Sequence, residues 1–374
     1  LFILFAGFFD LQAQTNVNGQ NNTISTAVPF LRITPDARSG SMGDVGIAIT
    51  SDANSQYWNV GKIPFSTNKF GIALSMTPWL QDQKPIIYFF YLAGYCKFGK
   101  NSNQSISGSL RYISYGDFNY VGFNFEPIGI GKPREFSYDL GYSRKLSKYL
   151  SAGISLRYIH TDIVSGFPPP DLYKPGHAVA ADAGIYYTRT QVLNNSLKRN
   201  FSFGAVISNM GSKINYSSQR KDFIPMNLGL GAAYTSEINK NHKLTIAIDL
   251  NKLLVPTPID SSTTPGVPRY YYPEKTVVSG ALGSFSDAPG GVSEELKEIR
   301  VSIGSEYWYR NRYALRAGYF YEDKSNGDRR YFTIGLGAHF YGLTLNAAYL
   351  MPAGSDMSHN LLTNTIRITL AFGA

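Results

Sequence analysis

A two-residue period governs the chain from Phe70 to Phe372. Phe70, Ile72, Leu74 and Met76 are apolar, and the residues between them, Gly71, Ala73 and Ser75, are small. Phe136, Tyr138, Leu140 and Tyr142 alternate with Ser137, Asp139 and Gly141; Ile366, Ile368, Leu370 and Phe372 alternate with Arg367 and Thr369. Successive side chains of a β-strand point to opposite faces, so each run has one apolar face and one polar or small face. Runs of about ten residues, the length a tilted strand needs to cross a bilayer, recur about 14 times. One of them, Ile86–Phe98, is apolar on both faces and has no readable orientation. Charged residues are only 16% of the chain and aromatics 14%, against about 25% charged in ordinary soluble domains. No internal apolar run reaches the roughly 18 residues of a membrane helix. The expected fold is all-β, a transmembrane antiparallel β-barrel of about 14 strands.

Connection lengths bear on the same expectation. Counted from the first strand, the even connections are Gly99–Gln104, Leu146–Tyr149, Thr190–Asn200, Glu237–Asn241, Arg310–Arg312 and Tyr341–Gly342, and all but the third are short. The odd ones include Gly116–Arg134, Thr161–His177, Gly211–Ile224 and Lys252–Lys297, the longest in the chain. Bacterial barrels have short turns at the periplasmic end and long loops at the other. An even strand number then places both termini in the periplasm. The loop Thr161–His177 carries Phe167 before a run that includes Pro169, and Lys252–Lys297 carries Tyr270, Tyr271 and Tyr272. Exposed aromatics and stiff prolines there suit a docking surface, and loops packed on one another over the mouth are an equal alternative. Val292–Arg300 reads as one short helix.

Thr26–Lys62 breaks the period. It gathers Gly40, Gly43 and Gly46 with Asp36, Arg38, Asp44 and Asp52 and shows neither alternation nor a helical stripe. It reads as a plug inside the barrel. Leu1–Phe9 matches the apolar core of a secretory signal, with cleavage expected after Ala13. The expected organisation is therefore 1–13 signal remnant, 14–65 tail and plug, and 66–374 barrel, in an outer membrane.

The alternation places Arg111, Asp139, Arg157, Asp182, Asp249, Glu306, Arg316 and Arg367 on the lumen face. A 14-stranded lumen lies between barrels that side chains fill and porins that hold a water channel, so it needs a plug or holds water. Arg111, Arg157, Arg316 and Arg367 are candidates for pairing with Asp36, Arg38, Asp44 and Asp52; lining a wet lumen is the equal alternative. The net charge of +9 is spread along the chain. It suits anionic outer membrane lipid or ordinary solubility and lacks the clusters that nucleic acid would require. The single cysteine, Cys96, allows no intrachain disulfide. The five histidines have no trusted metal-ligand spacing, and no serine sits in a nucleophile elbow. No catalytic residue, metal or cofactor is expected, and the chain is not read as an enzyme.

The run AVPFLRITPDARSGSMGDVGIA followed by SDANSQYWNVGK, from Ala27 to Lys62, resembles the PorV (LptO) family of the type IX secretion system of Bacteroidetes, within the wider FadL-like barrels. Trp58-Asn59-Val60-Gly61-Lys62 departs from the Trp-Asn-Pro-Ala-Lys expected there. The resemblance implies a non-enzymatic outer membrane component that associates with a SprA-like translocon. It would take secreted cargo by a C-terminal signal domain and pass it to a PorU-like sortase complex. Its binding surface would be the loops Gly116–Arg134, Thr161–His177 and Lys252–Lys297. A FadL-like transporter of hydrophobic small molecules is the alternative.

Overall fold

The computed structural model describes residues 24–374, apart from 80–86, 122–123, 125, 164, 166–173, 194–195, 218–219, 261–269, 272–273 and 354–364. Fourteen antiparallel strands close into one barrel. They are β1 Phe70–Trp79, β2 Ile87–Phe98, β3 Gln104–Ser114, β4 Arg134–Lys145, β5 Leu150–Asp162, β6 Gly176–Val192 and β7 Lys198–Gly211. The circuit continues with β8 Asn227–Asn239, β9 His242–Leu253, β10 Arg300–Tyr309, β11 Tyr313–Tyr321, β12 Arg330–Phe340, β13 Leu343–Pro352 and β14 Ile366–Gly373. β14 pairs back onto β1, Leu370 opposite Leu74, so no edge is left unpaired. Hydrocarbon cannot satisfy open backbone groups, and closure is what allows strands to cross it.

The outer wall is apolar by alternation. Leu140, Leu156, Ile185, Leu336 and Leu370 all point outward and are exposed. Inward positions are small or polar, among them Ser75, Thr77, Ser137, Thr333 and Thr369. β2 lacks this contrast because its sector of the lumen is dry. Phe89, Tyr91 and Ala93 point inward and pack with Val28, Phe30 and Leu31 of the N-terminal segment. Its other face, Tyr88, Phe90 and Leu92, is exposed.

The sixth connection shrinks to 193–197 because β6 runs on to Val192 and β7 begins at Lys198. The long connections gather at the opposite end. They hold three small hairpins, Phe118–Val121 with Pro127–Gly131, Ile214–Ser217 with Arg220–Asp222, and Ile259–Asp260 with Tyr270–Tyr271. The N-terminal segment to Ser66 packs against the lumen face of the wall, with short turns of helix. These are a 3-10 turn Pro29–Arg32, α1 Ala37–Gly40, α2 Ser55–Trp58 and a second 3-10 turn Val60–Phe65. The ninth connection carries α3 Val277–Gly283 and α4 Val292–Lys297. α4 matches the expected helix, and α3 has no apolar period long enough to announce it.

The outward face at Leu140, 75% exposed, gives a direct test. Leu140→Arg should destabilise the barrel by about 2–4 kcal/mol in phospholipid vesicles, the cost of an arginine near the bilayer midplane. Equilibrium denaturant unfolding measures it. An unchanged midpoint would place this face away from lipid.

Candidate functional site: the lumenal seam and its cationic cavity

Arg38, on α1, joins the N-terminal segment to the wall. Its Nε and Nη2 donate to Glu306 of β10 at 2.9 and 2.8 Å. Its Nη1 donates to the Thr50 carbonyl at 3.0 Å and to Asp52 at 2.9 Å, and its Nη2 also to the Thr50 hydroxyl at 2.7 Å. All five guanidinium N–H groups are thereby used. Arg316 of β11, directly opposite Glu306, donates to the same carboxylate at 2.7 Å and to Asn346 at 2.9 Å. Asp44 accepts from Arg367 of β14 at 3.3 Å and from the Tyr331 hydroxyl at 2.6 Å.

Arg38, Arg316, Arg367, Asp44 and Asp52 therefore meet in one seam, and the remaining candidates take other roles. Asp36 does not reach the wall. It caps α1 by accepting from the Ser39 N–H at 2.8 Å, and it accepts from Trp58 Nε1 at 2.7 Å. Burial, and then Asp52, push its carboxyl above the usual range. An Asp one residue before a helix satisfies backbone N–H groups locally, which outcompetes a distant cation. Arg157 also stays within the wall. It bridges Asp139 and Asp182, and Arg111 joins that chain through Asp139 at 3.0 Å. Arg111 touches the N-terminal segment at the Leu31 carbonyl, 3.3 Å away, and over the Tyr57 ring, 5.3 Å from its centroid. Of the loop candidates, Phe167, Pro169 and Tyr272 lie outside the described residues, and Tyr270 and Tyr271 pair with Ile259 and Asp260.

Several contacts carry no motif. Asp249 of β9 accepts from the Gly46 and Ile47 N–H groups at 2.7 and 2.8 Å. Thr333 and Thr369 accept from Gly43 and Ala37 N–H, both at 2.8 Å. Lys62 is buried and donates to the Gly46 carbonyl, and burial lowers its ammonium to about 8. Gly43 has φ +70° and lies against the Tyr319 backbone, where a Cβ would come within 2.6 Å. A Cβ on Gly318 would reach 2.0 Å from Met42. The alternation identified Asp249 and Glu306 as lumen-facing, but it could not say that they grip backbone and guanidinium.

Towards the end that carries the long connections, the seam opens into a cavity of about 90 Å³. Arg32, Arg111, Arg157, Arg300 and Arg329 line it, with Asp44 as the one carboxylate among the lining residues. Arg111 and Arg157 are matched by Asp139 and Asp182. Arg32 and Arg329 share Glu322, at 3.3 and 2.6 Å. Among the described residues Arg300 donates to the neutral Asn227, at 2.6 Å. Arg32 Nε and Arg300 Nε are buried without a hydrogen-bond partner among the described residues. Burial, then Arg300 and Arg329, weigh against the charged form of Arg32. An arginine does not deprotonate in a protein, so this corner keeps an excess of half-buried positive charge. An adjoining cavity of about 250 Å³ shares Arg32 and Arg329 and is walled by Phe30, Ile33, Ile87 and Ile113.

Closed 14-strand topology, an apolar outer face and a charged lumen filled by the N-terminal segment define an outer membrane barrel of the FadL-like class. Among solved structures, the Pseudomonas putida toluene transporter TodX matches with a TM-score of 0.52 at 10% identity, over 91% of this chain and 98% of that one. A Pseudomonas aeruginosa FadL homologue matches with a TM-score of 0.44 at 10% identity, over 91% and 98%. At such identities the likeness concerns the fold alone. No curated protein matches the chain. The family model described as type IX secretion system protein PorV matches residues 16–260, and the chain belongs to that family.

Glu306 holds two guanidiniums at once, so its removal is the sharpest probe of the seam. Glu306→Ala strands Arg38 and Arg316 in a buried site, a loss of about 3–5 kcal/mol for such pairs. Denaturant unfolding should show that loss, and ion conductance in a planar bilayer should rise. Conductance and stability both equal to the parent protein's would remove the seam as the element that holds the lumen shut. Arg316→Ala should act in the same direction and more weakly, because Arg38 keeps Glu306 paired.

Proposed function

We propose that this barrel receives secreted proteins by their C-terminal signal domain from a SprA-like translocon and delivers them to a PorU-like sortase complex at the cell surface. It does so as a binding protein without catalysis, and both its termini are periplasmic. Membership of the PorV family supports the setting. The feature that best supports cargo capture is the cationic corner of Arg32, Arg300 and Arg329, where Arg32 and Arg329 share Glu322 and Asp44 is the one carboxylate of the cavity lining. Glu322 and Arg329 flank the connection from β11 to β12, and Arg300 is the first residue after the ninth connection. The corner therefore sits where the long loops meet the lumen. A C-terminal domain carries a chain-end carboxylate, and a planar guanidinium matches a carboxylate in two parallel hydrogen bonds. The apolar walls beside the corner would take the last side chains.

The loops supply the outer part of the surface. Lys252 of β9 pairs with Glu295 at 2.9 Å and also with Glu298, so the ninth connection is tied to the rim, and Lys275 pairs with Asp287 at 3.1 Å within it. Its helices leave Val278, Leu282, Val292 and Leu296 exposed, and Phe285 just after α3 is exposed as well. Apolar side chains held out by an anchored loop suit a protein partner.

A cargo signal domain with its free carboxylate should bind the purified barrel at least tenfold more tightly than the same domain amidated at its C-terminus. Arg32→Ala or Arg300→Ala should erase that difference, as expected for about 1.5–3 kcal/mol of charge-assisted hydrogen bonding. Equal binding of acid and amide would remove the corner from cargo recognition. A pull-down from outer membranes, with the connections Thr161–His177 and Lys252–Lys297 deleted in turn, tests the wider reading. Recovery of a very large barrel and secreted cargo supports it. Recovery of neither, with a lipid-like molecule bound, would favour a transporter of hydrophobic small molecules that uses the slot at Phe30 and Ile113.

A further inference from the structure

The short connections gather at one end of the barrel, and their charge is one-sided. They carry Lys100, Lys148, Lys198, Arg199, Lys240, Arg310 and Arg312, against the single acid Glu237. Positive charge that is spread along the sequence is thus collected by the fold into a cationic rim. Arg144, near the end of β4, and Arg189, near the end of β6, point outward and are exposed, so they extend the rim onto the lipid-facing wall.

One sector of this rim borders a groove. It has a volume of about 620 Å³ and crosses the outer wall from β4 to β8. Ala152, Ala183 and Ala205 form its floor, between the longer side chains of Ile154, Ile185 and Ile207. The register sets this relief: Ile154 lies opposite Ala183, and Ile185 opposite Ala205. Four strand spacings of about 4.8 Å separate β4 from β8, so the groove runs for roughly 19 Å. That is the reach of an extended acyl chain.

The β4 end of the groove is its cationic mouth. Arg144 is the one charged residue of the lining and stands there with Leu146. Lys148 lies in the turn that follows. The Thr188 N–H donates to the Tyr149 carbonyl at 2.8 Å, which sets Arg189 against the same turn. Lys148 Nζ and the Arg189 guanidinium carbon stand 5.2 and 5.9 Å from the centroid of the Tyr149 ring. Tyr149 pairs in turn with Tyr187, ring centroids 6.2 Å apart. Such aromatic rings at the edge of the apolar band mark the level of the lipid headgroups. No Asp or Glu occurs in residues 140–159 or 183–206, so the stretches that supply these cations offer no carboxylate to match them.

An apolar groove as long as an acyl chain, with cations at headgroup level at one end, has the chemistry of an anionic phospholipid. A guanidinium meets a phosphate in two parallel hydrogen bonds. A zwitterionic headgroup would bring its own ammonium against the same cations. A second copy of the chain seated by two-fold symmetry would set like charges together.

We propose that this groove, with Arg144, Lys148 and Arg189, seats one phospholipid with an anionic headgroup, of the phosphatidylglycerol type. On the reading that both termini are periplasmic, that lipid belongs to the inner leaflet of the outer membrane. The seat is independent of cargo recognition, because it faces lipid and lies apart from the corner of Arg32, Arg300 and Arg329.

The test uses the full chain, purified in detergent and stripped of lipid. Phosphatidylglycerol and phosphatidylcholine with the same acyl chains are titrated in, and bound lipid is counted by native mass spectrometry. One phosphatidylglycerol per chain should bind at least tenfold more tightly than phosphatidylcholine. Arg144→Ala and Arg189→Ala should each remove most of that preference. Lys240→Ala and Arg312→Ala, in turns of the same rim that do not border the groove, should leave it within a factor of two. Ala205→Phe should fill the groove and weaken both lipids at least fivefold. Folding of each variant is checked by its β-sheet circular dichroism. Equal binding of the two lipids, or equal effects of Arg144→Ala and Lys240→Ala, would overturn the proposal. So would tighter binding of lipid A than of phosphatidylglycerol, or a detergent-stable dimer that Ala205→Phe breaks, which would give the groove to a second copy.

Discussion

The structure depends on one buried guanidinium. Arg38 connects α1, the Thr50–Asp52 turn and Glu306 of the wall, and each of its five N–H groups has a partner. A 14-stranded barrel is too wide for inward side chains alone to fill. The N-terminal segment must therefore enter, and its polar backbone must find partners there. Arg38 sets the angular position of that segment, because Glu306 is also held by Arg316. Buried ion pairs contribute little net stability against an apolar alternative of the same shape. Their effect here is register: any other seating of the segment leaves a guanidinium or a carboxylate unpaired.

Small residues complete that seating. Gly304 and Gly318 fall on the inner face of β10 and β11, where the Met42–Gly43 backbone presses on the sheet, and Gly335 of β12 lies against the Ser41 side chain. Side chains there would hold the segment away from Thr333 and Glu306. The opposite sector is handled with apolar groups, Phe89 and Tyr91 against Val28 and Phe30. One segment thus meets two chemically different walls, which distinguishes its orientations. The electrostatic excess appears only where the segment stops short of filling the lumen, at Arg32, Arg300 and Arg329.

Much of this was legible in the sequence. Alternation placed all the strands and the lumen-facing charges, because a period of two leaves no choice of face once one side must meet lipid. It failed at β2, where the lumen sector is apolar and both faces read alike. It overstated the sixth connection, because β6 runs on to Val192 and β7 begins at Lys198, through residues that do not alternate. Asp36 is a candidate for pairing with the wall, with a wet lumen as the equal alternative, but an Asp three residues before Ser39 is itself a cap signal. Arg157 is a candidate for pairing with the N-terminal segment on the same terms, because parity reports a face and not a partner. Asp139 and Asp182 lie on the neighbouring strands and claim it first.

The sequence by itself determined the barrel, its strand number, the inside and outside of each strand, and the segment that must lie within. These follow from local periodicity and from the refusal of hydrocarbon to solvate backbone. The tertiary structure alone decided the partners. Arg38 and Glu306 are 268 residues apart, and Asp44 and Arg367 are 323 apart. Arg32, Arg300 and Arg329 come together only through barrel closure and strand register. Pairing at such separations is fixed by where the closed sheet brings each side chain, and no local pattern encodes that.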